Sequence, residues 1–211
     1  MRVLVAYGSK RGGTQGIAEQ IGDVLDEAGH DVEVRDAREV DQPERWDALV
    51  VGGALYAWRW QRDARELLFR HVDALRRMPV WAFSSGPLDE SASETEIPPP
   101  WPVQRLLDRI GVREHVTFGG RIAEDSPEAA RMEVGDWRDM EQVRTWASDI
   151  APAIEMVAPE MPKREFGTLR SLRNAAVALC FFTGVTALIG GIPLFLSPNG
   201  SEPLGLELAL L

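Results

Sequence analysis

Residues 1–14, MRVLVAYGSKRGGT, open the chain with an apolar run of strand length, Arg2–Tyr7, that ends in a small, polar, glycine-rich turn. A helix-compatible stretch, QGIAEQIGDVLDEAG (15–29), follows at once. A strand that runs through such a turn into a helix builds an anion site. The first N–H groups of the helix lack intrahelical partners and carry the positive end of its dipole. Spacing narrows the anion. The dinucleotide fingerprint G-x-G-x-x-G is not met by Gly8, Lys10 and Gly13. The Walker A pattern keeps Gly8 and Gly13 but finds Thr14 where its lysine must stand. What remains is S-x-x-G-x-T, in Ser9, Gly12 and Thr14, where two hydroxyls flank a run of backbone amides. That arrangement suits one terminal phosphomonoester, and the candidate loop is Ser9, Lys10, Arg11, Gly12, Gly13 and Thr14. The competing reading is an ordinary strand-to-helix turn with Thr14 as a simple N-cap.

Beyond this opening, apolar runs of strand length alternate with amphipathic runs of helix length over roughly 150 residues, the mark of a parallel α/β sheet. Strands are predicted at Arg2–Tyr7, Asp31–Arg35, Ala48–Gly52, Val80–Ser84 and near Thr117–Ile122. Helices are predicted over about Thr14–Ala28, Gln61–Leu75, Val103–Ile110 and Asp139–Ile150. Gly29 is placed to close the first helix. Alternating Val32 and Val34 suit an edge strand, whereas the continuously apolar Ala48–Gly52 suits a central one. The stretch Pro87–Pro102 breaks the rhythm. In such sheets ligands lie beyond the carboxyl ends of the strands, where strand order reverses. Two further loops therefore join the candidate site: Ala54, Leu55, Tyr56, Ala57 and Trp58 after strand three, and Ser84, Ser85, Gly86 and Pro87 after strand four. Tyr56 and Trp58 either stack on a flat ring or pack a helix onto the sheet; Trp60 is read as packing. Asp89, Glu90, Glu94 and Glu96 are read as a solvated rim.

The 211 residues carry a net charge of -10, which argues against nucleic acid as a partner. One cysteine, Cys180, excludes an intrachain disulfide and a cysteine-based metal site. His30, His71 and His115 lack ligand spacing and are expected at surfaces or element ends; no metal site is expected. No secretory leader is expected ahead of the first strand, which puts the folded part in the cytosol.

The loop Ser9-x-x-Gly12-x-Thr14 resembles the phosphate loop of flavodoxin-like proteins. The resemblance implies a doubly wound five-stranded parallel sheet of order 2-1-3-4-5, with flavin mononucleotide (FMN) as cofactor. Within that fold family, VVGGALYAWRWQRDARELLFRHVDALRRMPVWAFSSG (50–86) and GDWRDMEQVRTWASDI (135–150) are similar to segments of the menaquinone-dependent protoporphyrinogen oxidases. The shared features are an aromatic loop, a helix ending in a basic residue and His71, the Met78-Pro79 turn, and Asp136, Trp137, Val143, Trp146 and Ala147. The resemblance spans about residues 1–150 and implies a quinone acceptor and a reduced donor such as protoporphyrinogen IX. This chain departs from that family at Ala57, where the family has tyrosine. Its insertion before the last helix, Ala123–Gly135, is shorter and acidic, so Arg121 and Arg131 are left to meet a donor's carboxylates.

Asn174–Ser197 holds no charged residue. About 20 apolar residues span the ~30 Å hydrocarbon core as a helix. Lys163, Arg164, Arg170 and Arg173 precede the run, and no basic residue follows it. The expected organisation is a flavin domain over 1–151, a linker over 152–173, a transmembrane helix over 174–197 and a short tail over 198–211. The positive-inside bias keeps the flavin domain cytoplasmic, on a single-pass membrane protein. The sequence thus points to an anchored FMN oxidoreductase that feeds quinone, without naming a catalytic side chain. Two alternatives stay open: an anchored flavodoxin-type electron carrier, and a flavin-free interaction module.

Overall fold

The computed structural model describes residues 1–157. The central sheet contains β1 (Arg2–Gly8), β2 (Asp31–Asp36), β3 (Ala48–Tyr56), β5 (Val80–Ser85) and β6 (Glu114–Phe118), all parallel. Their order is β2-β1-β3-β5-β6, the expected 2-1-3-4-5 counted over the long strands. A two-residue strand, β4 (Arg59–Trp60), folds back antiparallel on the end of β3. Helices α1 (Gly13–Glu27) and α6 (Met140–Val157) cover one face, and α2 (Arg62–Arg70), α3 (Val72–Leu75) and α5 (Trp101–Ile110) cover the other. A single turn, α4 (Ser91–Glu94), lies in the irregular stretch after β5.

Alternation along each strand sorts the core into two layers. Val3, Val5, Ala48, Val50, Trp81 and Phe83 face α1 and α6. Leu4, Ala6, Leu49, Val51, Val80 and Ala82 face α2, α3 and α5. All but Trp81 are completely buried, so both faces are sealed, as a parallel sheet requires. Truncating a leucine here, such as Leu49→Ala, costs about 2–5 kcal/mol.

Several boundaries differ from the sequence reading. The helix expected over Gln61–Leu75 breaks at His71 into α2 and α3. Gln61 is instead the N-cap of α2, its side chain accepting from the N–H groups of Asp63 and Ala64. The strand expected near Thr117–Ile122 starts earlier and stops at Phe118. Arg121–Ile122 (β7) leaves the main sheet and pairs antiparallel with Gly135–Asp136 (β8). Helix α6 continues to Val157, into what was expected to be linker. The cause is an apolar stripe that outlasts Pro152: Val143, Ala147, Ile150, Ala151 and Ile154 are buried, while Pro152 sits on the exposed side. Among the described residues no helix is long and apolar enough to cross a membrane. The segment 174–197 and the tail 198–211 lie outside the described residues.

Candidate functional site

The end of β1 carries the chain into the phosphate-loop candidate. Gly12 is the N-cap of α1 and has φ of 77°, in the left-handed region that glycine occupies without penalty. The Ser9 hydroxyl accepts from the Gly12 N–H at 3.1 Å and ties the turn together. Thr14 is therefore not the N-cap. It sits in the first turn, 1% exposed, and its Oγ1 has no hydrogen-bond partner. A buried, unpartnered hydroxyl at the open N-terminus of a helix is costly unless a ligand completes it. The first turn of α1 contains no acidic residue to serve that role.

A cavity of ≈ 290 Å³ opens over this turn. Ser9, Arg11, Gly13 and Thr14 form its floor; Ala54, Leu55, Tyr56 and Ala57 form one wall; Ser85 and Gly86 lie on β5 and just beyond it. The five other candidates stand outside the lining. Lys10 Nζ lies over the Tyr56 ring, 4.8 Å from its centre, a cation–π contact that braces the wall. Gly12 shapes the turn from behind. Ser84 is fully buried beneath the site, where its Oγ accepts from Trp60 Nε1 and meets His115 Nε2, each at 2.8 Å. Pro87 contributes its carbonyl, which accepts from Gly120 N–H at 2.7 Å. Trp58 is at the tip of the β3–β4 hairpin, 77% exposed. A two-residue turn places Ala57 (φ 46°) and Trp58 (φ 65°) in the left-handed region, and that geometry swings the indole away from the cavity. Trp60 packs in the core as expected, with Gly53 leaving room for its ring. Gly86 is filled from above by Leu55, since a Cβ there would lie 2.8 Å from that side chain.

Of the opposite wall the sequence reading singled out only Arg121, for a donor's carboxylates; Arg131, named with it, is exposed and outside the lining. Gly120, Arg121, Ile122, Ser126 and Met132 line that wall, all from the segment after β6, together with Leu88. Arg138 clamps this segment down. Its guanidinium donates twice to Asp136, at 2.6 and 2.7 Å, and once to the Gly13 carbonyl at 3.1 Å. The hydrogen bond from Arg138 holds the Asp136 carboxyl below the usual range and raises Arg138 in turn. The Gly119-Gly120 pair was the available signal: a Cβ on Gly119 would fall 1.9 Å from the Trp137 carbonyl oxygen. The acidic residues Asp89, Glu90, Glu94 and Glu96 are exposed. Of the histidines, His30 is buried at the α1–β2 junction, donating from Nε2 to the Ala151 carbonyl at 3.2 Å. Among the described residues no group of three or more metal-ligating side chains converges.

A family profile described as Flavodoxin domain matches residues 4–126, more than half of the chain. This chain is a member of the flavodoxin domain family. Flavodoxin homologues bind FMN. A loop of hydroxyls and backbone amides with an orphaned buried Thr14 Oγ1 fits the phosphate of that cofactor, and the adjoining cleft walled by Tyr56 fits a flat ring. Over 39 residues the chain is 51% identical to the flavodoxin of Nitratidesulfovibrio vulgaris (strain DSM 19637 / Miyazaki F). That match covers 18% of this chain and only 26% of that protein. Solved structures resemble this flavodoxin domain more broadly. A cysteine-to-serine variant of Pseudomonas aeruginosa flavodoxin is 18% identical, with a TM-score of 0.52, covering 74% of this chain and 99% of that one. The rubredoxin oxygen:oxidoreductase of Desulfovibrio gigas is 16% identical, with a TM-score of 0.51, covering 74% and 36% respectively. The Flv1 flavodiiron core of Synechocystis sp. PCC6803 is 13% identical, with a TM-score of 0.53, covering 74% and 36%. At these identities they bear on the fold alone.

Proposed function

We propose that this flavodoxin-domain protein is a membrane-anchored, FMN-dependent oxidoreductase that takes electrons from a reduced donor, protoporphyrinogen IX in the sharpest form, and passes them to a quinone. The single observation that carries the FMN part is Thr14 Oγ1, buried without a partner at the mouth of α1 inside the cavity. When bound, FMN supplies the redox chemistry. The chain's own residues position it: Ser9, Thr14 and the first amides of α1 take the phosphate, and Tyr56, steadied by Lys10, forms one wall of the ring cleft. Trp58 points away, and that leaves the cleft open to a second flat molecule.

The membrane and quinone parts rest on sequence. The uncharged run Asn174–Ser197, with basic residues only before it, supports an anchor with the flavin domain on the cytoplasmic side. A tethered domain gains little as a shuttle between soluble proteins and gains proximity to a lipid-soluble acceptor. The similarity of residues 50–86 and 135–150 to menaquinone-dependent protoporphyrinogen oxidases supports quinone and tetrapyrrole. A second reading, an anchored electron carrier, is supported by the Flavodoxin domain match over residues 4–126.

The test uses full-length, FMN-loaded protein in vesicles containing a menaquinone analogue. Addition of protoporphyrinogen is expected to produce porphyrin fluorescence at a rate well above that of FMN-loaded vesicles without protein. No porphyrin, together with fast electron delivery to a protein acceptor, supports the carrier instead. A preparation that binds no FMN overturns both.

A further inference from the structure

We infer that Arg121, in the β7–β8 hairpin, is a charge partner of the FMN phosphate, so that this protein holds its cofactor with an ion pair in addition to neutral hydroxyls and amides. The inference rests on the FMN reading above and assigns Arg121 to the cofactor instead of to a donor's carboxylates.

Placement is the first reason. A Cβ on Gly13 would lie 3.5 Å from Arg121 Cβ and 3.8 Å from its backbone nitrogen. The stem of Arg121 therefore rests on the first turn of α1, in the same cavity lining as Ser9, Gly13 and Thr14. Its guanidinium makes a long ion pair within the protein. The Asp136 carboxylate is 3.9 Å from Arg121 Nε and is already engaged twice by Arg138.

Electrostatics supply the second reason. Two guanidinium groups, Arg121 and Arg138, are set against the positive end of a helix that has no acid in its first turn. The Asp136 carboxylate is shared between them, so one negative charge stands against two positive ones beside the helix end, and a phosphate adds negative charge where the helix dipole favours it. The chain as a whole carries a charge of -10, so a local cation also offsets the field that an anionic ligand must cross.

The third reason is the polar atoms left unmatched. Thr14 Oγ1 on the helix and Ser126 Oγ, between β7 and β8, are both more than nine-tenths buried, line the cavity and have no partner. The segment from β7 to β8 thus brings one charged and one neutral group to the cavity from the side facing the phosphate loop.

The experiment titrates full-length, flavin-stripped protein with FMN and with riboflavin, which lacks the phosphate, following flavin fluorescence. Arg121→Gln is expected to weaken FMN binding about fivefold at low salt. Riboflavin affinity should stay unchanged, and raising salt to about 0.5 M should erase most of the difference between the two proteins. Arg121→Lys, which keeps the charge, should restore most of the FMN affinity and guards against a folding artefact. Equal losses for both flavins, or no loss for FMN, overturn the inference. If the unmodified protein binds neither flavin, the cofactor reading itself falls.

Discussion

Trp60 and Ser84 are joined by a fully buried hydrogen bond, indole Nε1 donating to Oγ at 2.8 Å, that fastens the β3–β4 hairpin to β5. Tyr56 and Ser85, which line the cavity, are each close in sequence to this contact. Replacing Ser84 with alanine strands the indole N–H in the core. An unsatisfied buried donor costs about 1–3 kcal/mol. Urea denaturation of Ser84→Ala should show a loss in that range, and Trp60→Phe in the same background should add less than it does alone.

His115 completes the same chain of contacts through Ser84, and burial lowers its pKa from 6.5 to about 4. The folded protein keeps the ring neutral where the unfolded chain would protonate it, so stability rises with pH across this window. The contribution is fully present above pH 6.5 and is lost as pH falls toward 4, with a magnitude of about 3 kcal/mol. His115→Gln should flatten the stability profile between these limits. An unchanged slope would remove the assignment. The Asp136 carboxyl, held low by Arg138, loses its contribution only at still lower pH.

Thr14 separates stability from binding. Its hydroxyl is buried and unpartnered, so Thr14→Val removes a desolvated polar group without altering shape. The flavin-free variant should be as stable as the parent or about 1 kcal/mol more stable. Its FMN affinity should fall about tenfold, the loss of one hydrogen bond to a charged group. A Thr14→Val protein that is destabilised and binds normally would return Thr14 to a structural role.

The hairpin tip holds strain that sequence can relieve. Ala57 and Trp58 both adopt positive φ, a region costing non-glycine residues about 1–2 kcal/mol each. Replacing Trp58 with glycine, which takes positive φ without penalty, should raise the melting temperature by a few degrees. Because Trp58 is exposed and outside the cavity lining, FMN affinity should hold.

Gly52 has no spare room. A Cβ there would fall 2.0 Å from the Phe83 ring. Gly52→Ala should therefore cost about 1–3 kcal/mol through overpacking, read from chemical denaturation, and Phe83→Leu should recover part of it.

Much of this protein is legible along the chain because the relevant signals are local. Strand β1, the turn at Gly12 and helix α1 follow from an apolar run, a glycine able to take positive φ and an i, i+4, i+7 stripe of Ile17, Ile21, Val24 and Leu25. Gly29, at φ 93°, ends α1 for the same backbone reason. The two sealed faces of the sheet are likewise implied by unbroken apolar strands.

Other features belong to the folded chain. No periodicity marks β7 and β8, because two-residue strands contain no pattern to read. Their place over the phosphate loop comes from contacts far apart in sequence: Gly119 against Trp137, and Arg138 on the Gly13 carbonyl. The direction of Trp58 was equally hidden, since it turns on the sign of φ at two ordinary residues, which only the pairing of β3 with β4 imposes. The amino-acid order by itself determined the alternating architecture and the helix end that receives a phosphate, through local backbone preference and burial. Tertiary packing alone decided what lies across the cavity from that helix end, because Arg121, 108 positions from Gly13, comes beside it only once the sheet has closed.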